Sequence, residues 1–186
     1  MAEYLILTDH KDQFVGMMEK HLVHKLGLLH RAFSIFIFNT RGEILLQQRA
    51  YDKYHSGGLW SNACCSHPRF EEEICNAVSR RLWEEMGIRT DTDFAFSFIY
   101  KTDFKNGLTE HEFDHVYFGI TDEIPMPNKT EVNNWKYMKL SDLKYDIGQH
   151  PQKYSEWMKI CLPKVMRYFN NHFVNFSPEI YGHVSI

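Results

Sequence analysis

Two carboxylates separated by a single residue, Glu110 and Glu112, are the first feature of this sequence that can do chemistry. Residues 110–120 have the composition of a β-strand, in which side chains two positions apart share a face. Glu110, Glu112 and Asp114 would then point the same way, and Val116 continues that face. The pattern predicts an acidic site at the rim of an apolar core, and a solvated strand end is the alternative.

Three histidines stand near other residues that can bind a metal ion. His24 and His30 cannot share one helix face, so Gly27 has to turn the chain between them if both are to reach the same site. His67 is the third. Taken alone, each of these histidines has an ordinary alternative as a surface or core residue.

Two adjacent cysteines precede His67. In an extended segment Cys65 and His67 lie on one side, and Cys64 faces the other way. Pro68 favours this extended conformation because it restricts the residue before it. The alternative is an inert, buried pair of cysteines.

Taken together, these groups provide three neutral imidazoles and two carboxylates. Such a set of nitrogen and oxygen ligands suits a roughly octahedral Mg²⁺, Mn²⁺ or Zn²⁺ site. A tetrahedral structural zinc made of three histidines and one cysteine is the rival, and it leaves the two carboxylates unexplained. The members of the first set are His24, His30, His67, Glu110 and Glu112.

The size and composition of the chain fit one soluble domain. It has 186 residues, of which 44% are hydrophobic and 24% charged. A net charge of -3 gives no reason to expect a nucleic-acid or membrane partner. The cysteines have no disulfide-framework spacing, and no stretch resembles a signal peptide or membrane span. We therefore expect a cytoplasmic protein with reduced thiols.

The order of strand and helix patterns along the chain predicts a mixed α/β domain. Residues 57–68 are expected to be irregular, and residues 170–186 have no pattern that places them. Strands alternate with helices in the order typical of a mixed sheet. The predicted strands are 4–8, 32–38, 43–48, 94–102, 110–120 and 135–140, and the predicted helices are 17–25, 71–86 and 154–169, the last of them kinked or divided at Pro163.

The predicted helix 71–86 and its entry resemble the Nudix box. Two positions depart from that pattern: Ser66 replaces the first glycine, and Arg81 replaces the glutamate that follows the arginine. Nudix hydrolases use carboxylates on this helix to hold Mg²⁺ ions that activate water, so a cation at Arg81 disfavours hydrolysis. The matching positions are Glu72, Arg80, Leu82, Glu84, Glu85, Gly87 and Ile88.

Further motifs in a fixed order narrow the resemblance. The chain is similar to type 1 isopentenyl diphosphate isomerases over about residues 4–169, most strongly from residue 20 onward. Ser61 stands where that family commonly has threonine, at a position to which we assign no role. The matching segments are LHRAFS at 29–34, QRA at 48–50, WSNACCSHP at 60–68, RRLWEEMG at 80–87, EHE at 110–112 and YSEWM at 154–158.

The resemblance implies one Nudix-fold domain over residues 1–186, with a mixed β-sheet sandwiched by helices. It implies a metal-dependent conversion of isopentenyl diphosphate to dimethylallyl diphosphate through a tertiary carbocation, in isoprenoid biosynthesis. A Nudix-type diphosphate hydrolase and a zinc-stabilised binding module are the alternatives. The implied partner is a small isoprenoid diphosphate, with no nucleic acid and no membrane, and no oligomeric state is indicated.

The same resemblance assigns roles to individual residues. His24, His30, His67, Glu110 and Glu112 would bind the first divalent ion, which could be Mn²⁺, Mg²⁺ or Zn²⁺. Glu85 would help to hold a Mg²⁺ that bridges to the substrate diphosphate. Cys65 and Glu112 would be the acid/base pair, with Tyr100 hydrogen-bonded near Glu112 and Trp157 over the hydrocarbon. The diphosphate would contact Lys20, Arg49, Lys53 and Arg81.

Overall fold

A mixed nine-stranded β-sheet forms the framework of the computed structural model, which describes residues 3–53 and 55–173. Four α-helices and a short 3₁₀ turn, Pro151–Lys153, accompany it in the described part of the chain. The strands are β1 Tyr4–Thr8, β2 Phe14–Glu19, β3 His30–Phe38, β4 Glu43–Arg49, β5 Trp60–Asn62, β6 Cys64–Ser66, β7 Thr92–Asp103, β8 Thr109–Ile120 and β9 Val132–Lys139. The helices are α1 Lys20–Leu26, α2 Ile74–Met86, α3 Leu140–Gln149 and α4 Glu156–Phe173.

Strand β3 lies at the centre of the sheet. It runs parallel to β8, from the pair His30↔Glu112 to the pair Phe38↔Ile120. It is antiparallel to β1, β4 and β6. Its register with β4 contains only Phe38↔Ile44, and beyond that point β5 pairs with β4 while β6 pairs with β3. The sheet therefore opens between β3 and β4, and the two short strands fill the opening.

Helices cover both faces of the sheet. On one face, Ile35 and Ile37 of β3 pack with Val78, Leu82 and Met86 of α2. On the other, Phe36 and Phe38 of β3 pack with the apolar side of α4. A strand buried on both faces needs apolar residues at consecutive positions, which explains why residues 32–38 are apolar except for Ser34. The predicted fold class, a mixed sheet sandwiched by helices, is confirmed.

Three predicted helix boundaries are wrong. Residues 17–19 belong to β2 and pair with β1, so α1 begins only at Lys20. Helix α2 begins at Ile74 because Glu71 has a positive φ of 62° and Glu73 is extended. Helix α4 runs unbroken through Pro163, and its last residues, 170–173, belong to the predicted unplaced tail. The remainder of that tail, 174–186, lies outside the described residues.

The predicted irregular segment 57–68 is also wrong in part, because it contains β5 and β6. None of the helices in the described ranges is long and apolar enough to cross a membrane.

Candidate active site and metal centre

Three elements bring the predicted metal ligands together. The parallel pairing of β3 with β8 sets His30 opposite Glu112, and Glu110 precedes it on the same face of β8. His24 comes from α1, and Gly27 ends that helix in the left-handed conformation with a φ of 62°. This turn returns the chain to β3, so that His24 from the helix and His30 from the strand both reach Glu110.

The resulting group is tightly clustered and buried. The Nε2 atom of His24 lies 3.1 Å from Oε2 of Glu110, and Nε2 of His67 lies 3.3 Å from Oε1 of Glu112. One ligand atom from each of His24, His30, His67 and Glu110 falls within 4.8 Å of the others. Glu110 is 4% exposed and Glu112 8%, so the alternative of a solvated strand end is wrong.

The histidine tautomers suit a metal ion. Nδ1 of His24 donates to the Lys20 carbonyl at 2.8 Å, and Nδ1 of His30 donates to the Leu28 carbonyl at 2.9 Å. A carbonyl only accepts, so each neutral ring presents the lone pair of Nε2 to the cluster. Nε2 of His30 is buried without a hydrogen-bond partner among the described residues. A divalent ion coordinated by this nitrogen would supply the missing partner.

The electrostatics of the cluster favour a cation. Burial would lower the pKa of His30, but the nearby carboxylates of Glu112 and Glu110 outweigh it and raise the pKa. Burial lowers the pKa of His67 to about 4, which keeps that imidazole in the neutral form that binds metals. Despite burial, imidazole partners hold the pKa of Glu110 well below its usual range.

The rival structural zinc site with a cysteine ligand does not form among the described residues. The fourth member of the histidine cluster is Glu110. The Cys65 sulfur instead donates to Oδ1 of Asn62 at 3.0 Å and lies 3.5 Å from the Ser34 hydroxyl. Three imidazole nitrogens and a carboxylate fit a divalent metal, and Glu112 stands beside them as a further oxygen donor.

Cys64 and Cys65 face opposite sides, as their spacing predicts. Cys64 is fully buried and packs in the apolar layer under α2. Cys65 pairs with Ser34 across β6 and β3, and it lines a cavity shared with the carboxylates of β8. Burial raises the pKa of the Cys65 thiol, and the charge of Asp114 raises it further.

Tyr100 and Trp157 complete the walls around the thiol. Tyr100 lies opposite Glu112 across β7 and β8, and its hydroxyl donates to Oε2 of Glu112 at 2.8 Å. Burial raises the pKa of Tyr100 well above its usual value, so it remains a donor. Trp157 lies in the first turn of α4, and its Nε1 donates to the Ser61 hydroxyl at 2.7 Å.

A cavity of about 720 Å³ is lined by these groups and also by basic side chains. The Arg49 guanidinium stands 5.1 Å from the centroid of the Trp157 ring. The Nε atoms of Arg49 and Arg81 are buried without hydrogen-bond partners among the described residues. Unpaired donors of this kind suit an anionic ligand. The predicted diphosphate contacts that line this cavity are Lys20, Arg49, Lys53 and Arg81.

Arg81 and Glu85 bind each other on α2. A guanidinium nitrogen of Arg81 lies 2.5 Å from Oε1 of Glu85, and Gln47 donates to Oε2 of Glu85 at 3.1 Å. Burial would lower the pKa of Arg81, but the charge of Glu85 outweighs it and raises the pKa. Glu85 lines the cavity and is not a member of the histidine cluster.

His55 is a site residue that the sequence analysis did not identify. Its Nε2 lies 3.0 Å from Oε1 of Glu110, and its ring stacks on Phe104 with centroids 4.8 Å apart. The ring also meets Trp157 edge-on at 5.8 Å. No spacing links residue 55 to the other histidines, and the only sign of a fourth imidazole in the sequence is the high count of eleven histidines.

Comparison with known proteins agrees with this geometry. Residues 28–159 match the NUDIX domain family. Isopentenyl-diphosphate Delta-isomerase 2 of Aromatoleum aromaticum is 49% identical over 166 residues, which are 89% of this chain and 88% of that protein. The isopentenyl-diphosphate Delta-isomerase of Pectobacterium atrosepticum is 44% identical over 165 residues, which are 89% of this chain and 92% of that protein.

Solved structures share the fold at low identity. The Deinococcus radiodurans protein DR0079 superposes with a TM-score of 0.65 at 18% identity, over 79% of this chain and 90% of that one. A MutT NUDIX hydrolase from Burkholderia pseudomallei superposes with a TM-score of 0.59 at 23% identity, over 74% of this chain and 98% of that one. Domain match, sequence identity and fold agree: the chain belongs to the Nudix family and, within it, to the isopentenyl-diphosphate Delta-isomerases.

Proposed function

We propose that this protein converts isopentenyl diphosphate to dimethylallyl diphosphate in isoprenoid biosynthesis, with a divalent metal bound at the histidine–glutamate cluster. One observation carries the proposal. A single cavity is lined both by basic side chains, which suit a diphosphate, and by Cys65, Glu112 and Trp157. A short substrate can therefore have its diphosphate and its hydrocarbon bound at the same time.

The reaction requires an acid and a base around the carbon chain. The double bond moves when the terminal alkene carbon gains a proton and the carbon on the other side of the resulting cation loses one. The acid and the base therefore work at different carbons. Cys65 comes from β6 and Glu112 from β8, on either side of β3. We assign the acid/base pair to these two residues. The Tyr100 hydroxyl holds one oxygen of Glu112 and thereby orients that carboxylate.

Trp157 would stabilise the intermediate. A tertiary carbocation has no heteroatom to share its charge, and an aromatic face attracts a cation by about 2 kcal/mol or more in a dry site. The indole is 5% exposed and its N–H donates a hydrogen bond to the Ser61 hydroxyl, so the ring has a fixed place in the cavity wall. Excluding water here also protects the cation from being trapped as an alcohol.

The metal and basic residues would anchor the polar parts of the site. His24, His30, His67, Glu110 and Glu112 would hold a Mn²⁺, Mg²⁺ or Zn²⁺ ion, and Glu85 would contribute to a Mg²⁺ site shared with the diphosphate. A bound divalent ion supplies positive charge that offsets the paired carboxylates and fixes their orientation. Lys20, Arg49, Lys53 and Arg81 would bind the diphosphate, which places the alkene between acid and base.

The cytoplasm suits this assignment, since catalysis by Cys65 needs a free thiol and reduced cysteines persist there.

The test is direct conversion of substrate by the purified protein. Isopentenyl diphosphate is incubated with the protein and Mg²⁺ or Mn²⁺, and proton NMR follows the appearance of dimethylallyl diphosphate. Glu112→Gln serves as the matched control, because it keeps the size of the side chain and removes its basicity. We expect turnover by the native protein and a loss of at least about 10²-fold in the variant. Release of phosphate without any dimethylallyl product would refute the proposal.

A further inference from the structure

A chain of hydrogen bonds runs from the indole of Trp157 to the thiol of Cys65. Nε1 of Trp157 donates to the Ser61 hydroxyl at 2.7 Å, and this hydroxyl donates to Oδ1 of Asn62 at 3.0 Å. The Cys65 thiol donates to the same Oδ1 at 3.0 Å. Two residues without an assigned role thus lie between two of the proposed catalytic groups.

The direction of every bond in this chain is fixed. Nδ2 of Asn62 donates to the carbonyls of Ile35 at 3.1 Å and Cys64 at 2.8 Å. Carbonyls cannot donate, so the amide cannot be flipped and Oδ1 must face the thiol. The Ser61 oxygen accepts from Trp157 and also from the Ser155 hydroxyl at 3.1 Å, so its own proton goes to Asn62.

The two connecting residues are held by the sheet itself. Ser61 is 1% exposed and Asn62 is fully buried, both on β5. Their backbones pair with β4, whereas the Asn62 amide reaches the backbone of β3 at Ile35. This is the place where β3 and β4 have parted, so one side chain ties the two sides of the opening together. Saturated, buried networks of this kind rigidify what they contact.

We propose that Ser61 and Asn62 are positioning residues, which hold the Trp157 indole and the Cys65 thiol in a fixed relation to each other. The inference rests on the proposed isomerase function. A carbocation must form between groups that are already in place, and a misplacement of about 1 Å can cost about 10²-fold in rate. The position that the sequence analysis left without a role, Ser61, is the acceptor that orients the indole.

The experiment compares three serine variants. Ser61→Ala removes the acceptor for the indole N–H, and Ser61→Thr restores a hydroxyl. Ser155→Ala removes a neighbouring buried hydroxyl but leaves the path from Trp157 to Cys65 intact. We expect Ser61→Ala to lower kcat about tenfold or more and to change KM less than about threefold, because the hydrogen bonds of the Ser61 hydroxyl run to Trp157, Asn62 and Ser155. Ser61→Thr and Ser155→Ala should stay within about threefold of the native kcat.

A spectroscopic measurement tests the contact without relying on activity. In ¹⁵N-labelled protein, Trp157→Phe identifies the indole N–H signal of Trp157. Ser61→Ala should move that signal upfield and speed its exchange with solvent, whereas Ser61→Thr should retain its native position. If the native protein does not isomerise isopentenyl diphosphate, the proposed function fails. This measurement still shows whether the Trp157 indole donates a hydrogen bond to the Ser61 hydroxyl.

Two outcomes would overturn the inference. One is a folded Ser61→Ala with native kcat and an unmoved indole signal. The other is a loss in Ser61→Thr or Ser155→Ala as large as that in Ser61→Ala, since packing and not the specific hydroxyl would then matter.

Discussion

Replacing Cys65 with alanine should abolish most of the activity, whereas replacing the adjacent Cys64 with alanine should cost only some stability. Cys65 faces the cavity with its thiol bonded to Asn62, and Cys64 faces the core beneath α2. The two changes remove the same atoms from neighbouring positions on one short strand. They therefore separate loss of chemistry from loss of packing.

The structure sets the expected magnitudes. Cys65→Ala removes a proposed acid/base group, for which losses of 10²- to 10⁴-fold are typical, or about 3 to 5 kcal/mol of activation free energy. Cys64→Ala removes one buried sulfur atom and leaves a small cavity, which should lower the free energy of unfolding by about 1 kcal/mol. For a chain of this size that loss shifts Tm by about 2–4 °C.

The assay follows conversion of isopentenyl diphosphate by the purified variants, with circular dichroism to verify folding. Cys65→Ser should also be severely impaired, because a hydroxyl is a far weaker acid than a thiol. In heavy water the Cys65 variants should stop incorporating deuterium into the product. A fully active Cys65→Ala, or a folded but inactive Cys64→Ala, would refute the reasoning.

Three further outcomes follow from the metal cluster and from α2. Removing divalent metal with a chelator should abolish isomerisation, and His67→Ala should reduce metal content by elemental analysis; full turnover of the metal-free protein would contradict this. Phosphate release from nucleoside or isoprenoid diphosphates should stay below about 1 s⁻¹, the low end of ordinary enzyme rates, because Arg81 disrupts the acidic cluster of α2. His55→Phe keeps a ring but loses the bond to Glu110, so metal affinity should fall about 10- to 100-fold, while the exposed control His150→Phe should bind as the native protein does.

Several features of the site could be predicted because they depend on local spacing. The side-chain alternation of a strand is set by its own backbone, so the shared face of Glu110 and Glu112 follows from the sequence. The turn at Gly27 was also predictable, since the left-handed conformation there favours glycine. The structure adds a second reason for glycine at this position, because a Cβ there would lie 3.2 Å from the Thr109 side chain.

Other features depend on partners that are distant in the sequence. Strands β5 and β6 have three residues each, too few for a periodic pattern, and they form because β3 and β4 separate. Residues 17–19 have helix-compatible composition but pair with β1. His55 reaches Glu110 only because the chain folds back before β5, and no local signal reveals that contact. Tertiary pairing decides each of these cases.

The balance of charge explains why a Nudix scaffold should bind its metal on a strand here. On α2 and at its entry, arginines neutralise the acidic residues: Arg80 lies 2.7 Å from Glu72, which precedes the helix, and Arg81 lies 2.7 Å from Glu84. On β8, by contrast, Glu110 and Glu112 are surrounded by imidazoles, which carry no fixed charge when neutral. Two buried carboxylates among imidazoles, which can release a proton when a metal binds, attract a divalent cation far more strongly than carboxylates already paired with guanidinium groups. Exchanging one acidic position of α2 for arginine therefore both weakens a water-activating cluster and supplies a cation to the cavity in which we propose that the diphosphate binds.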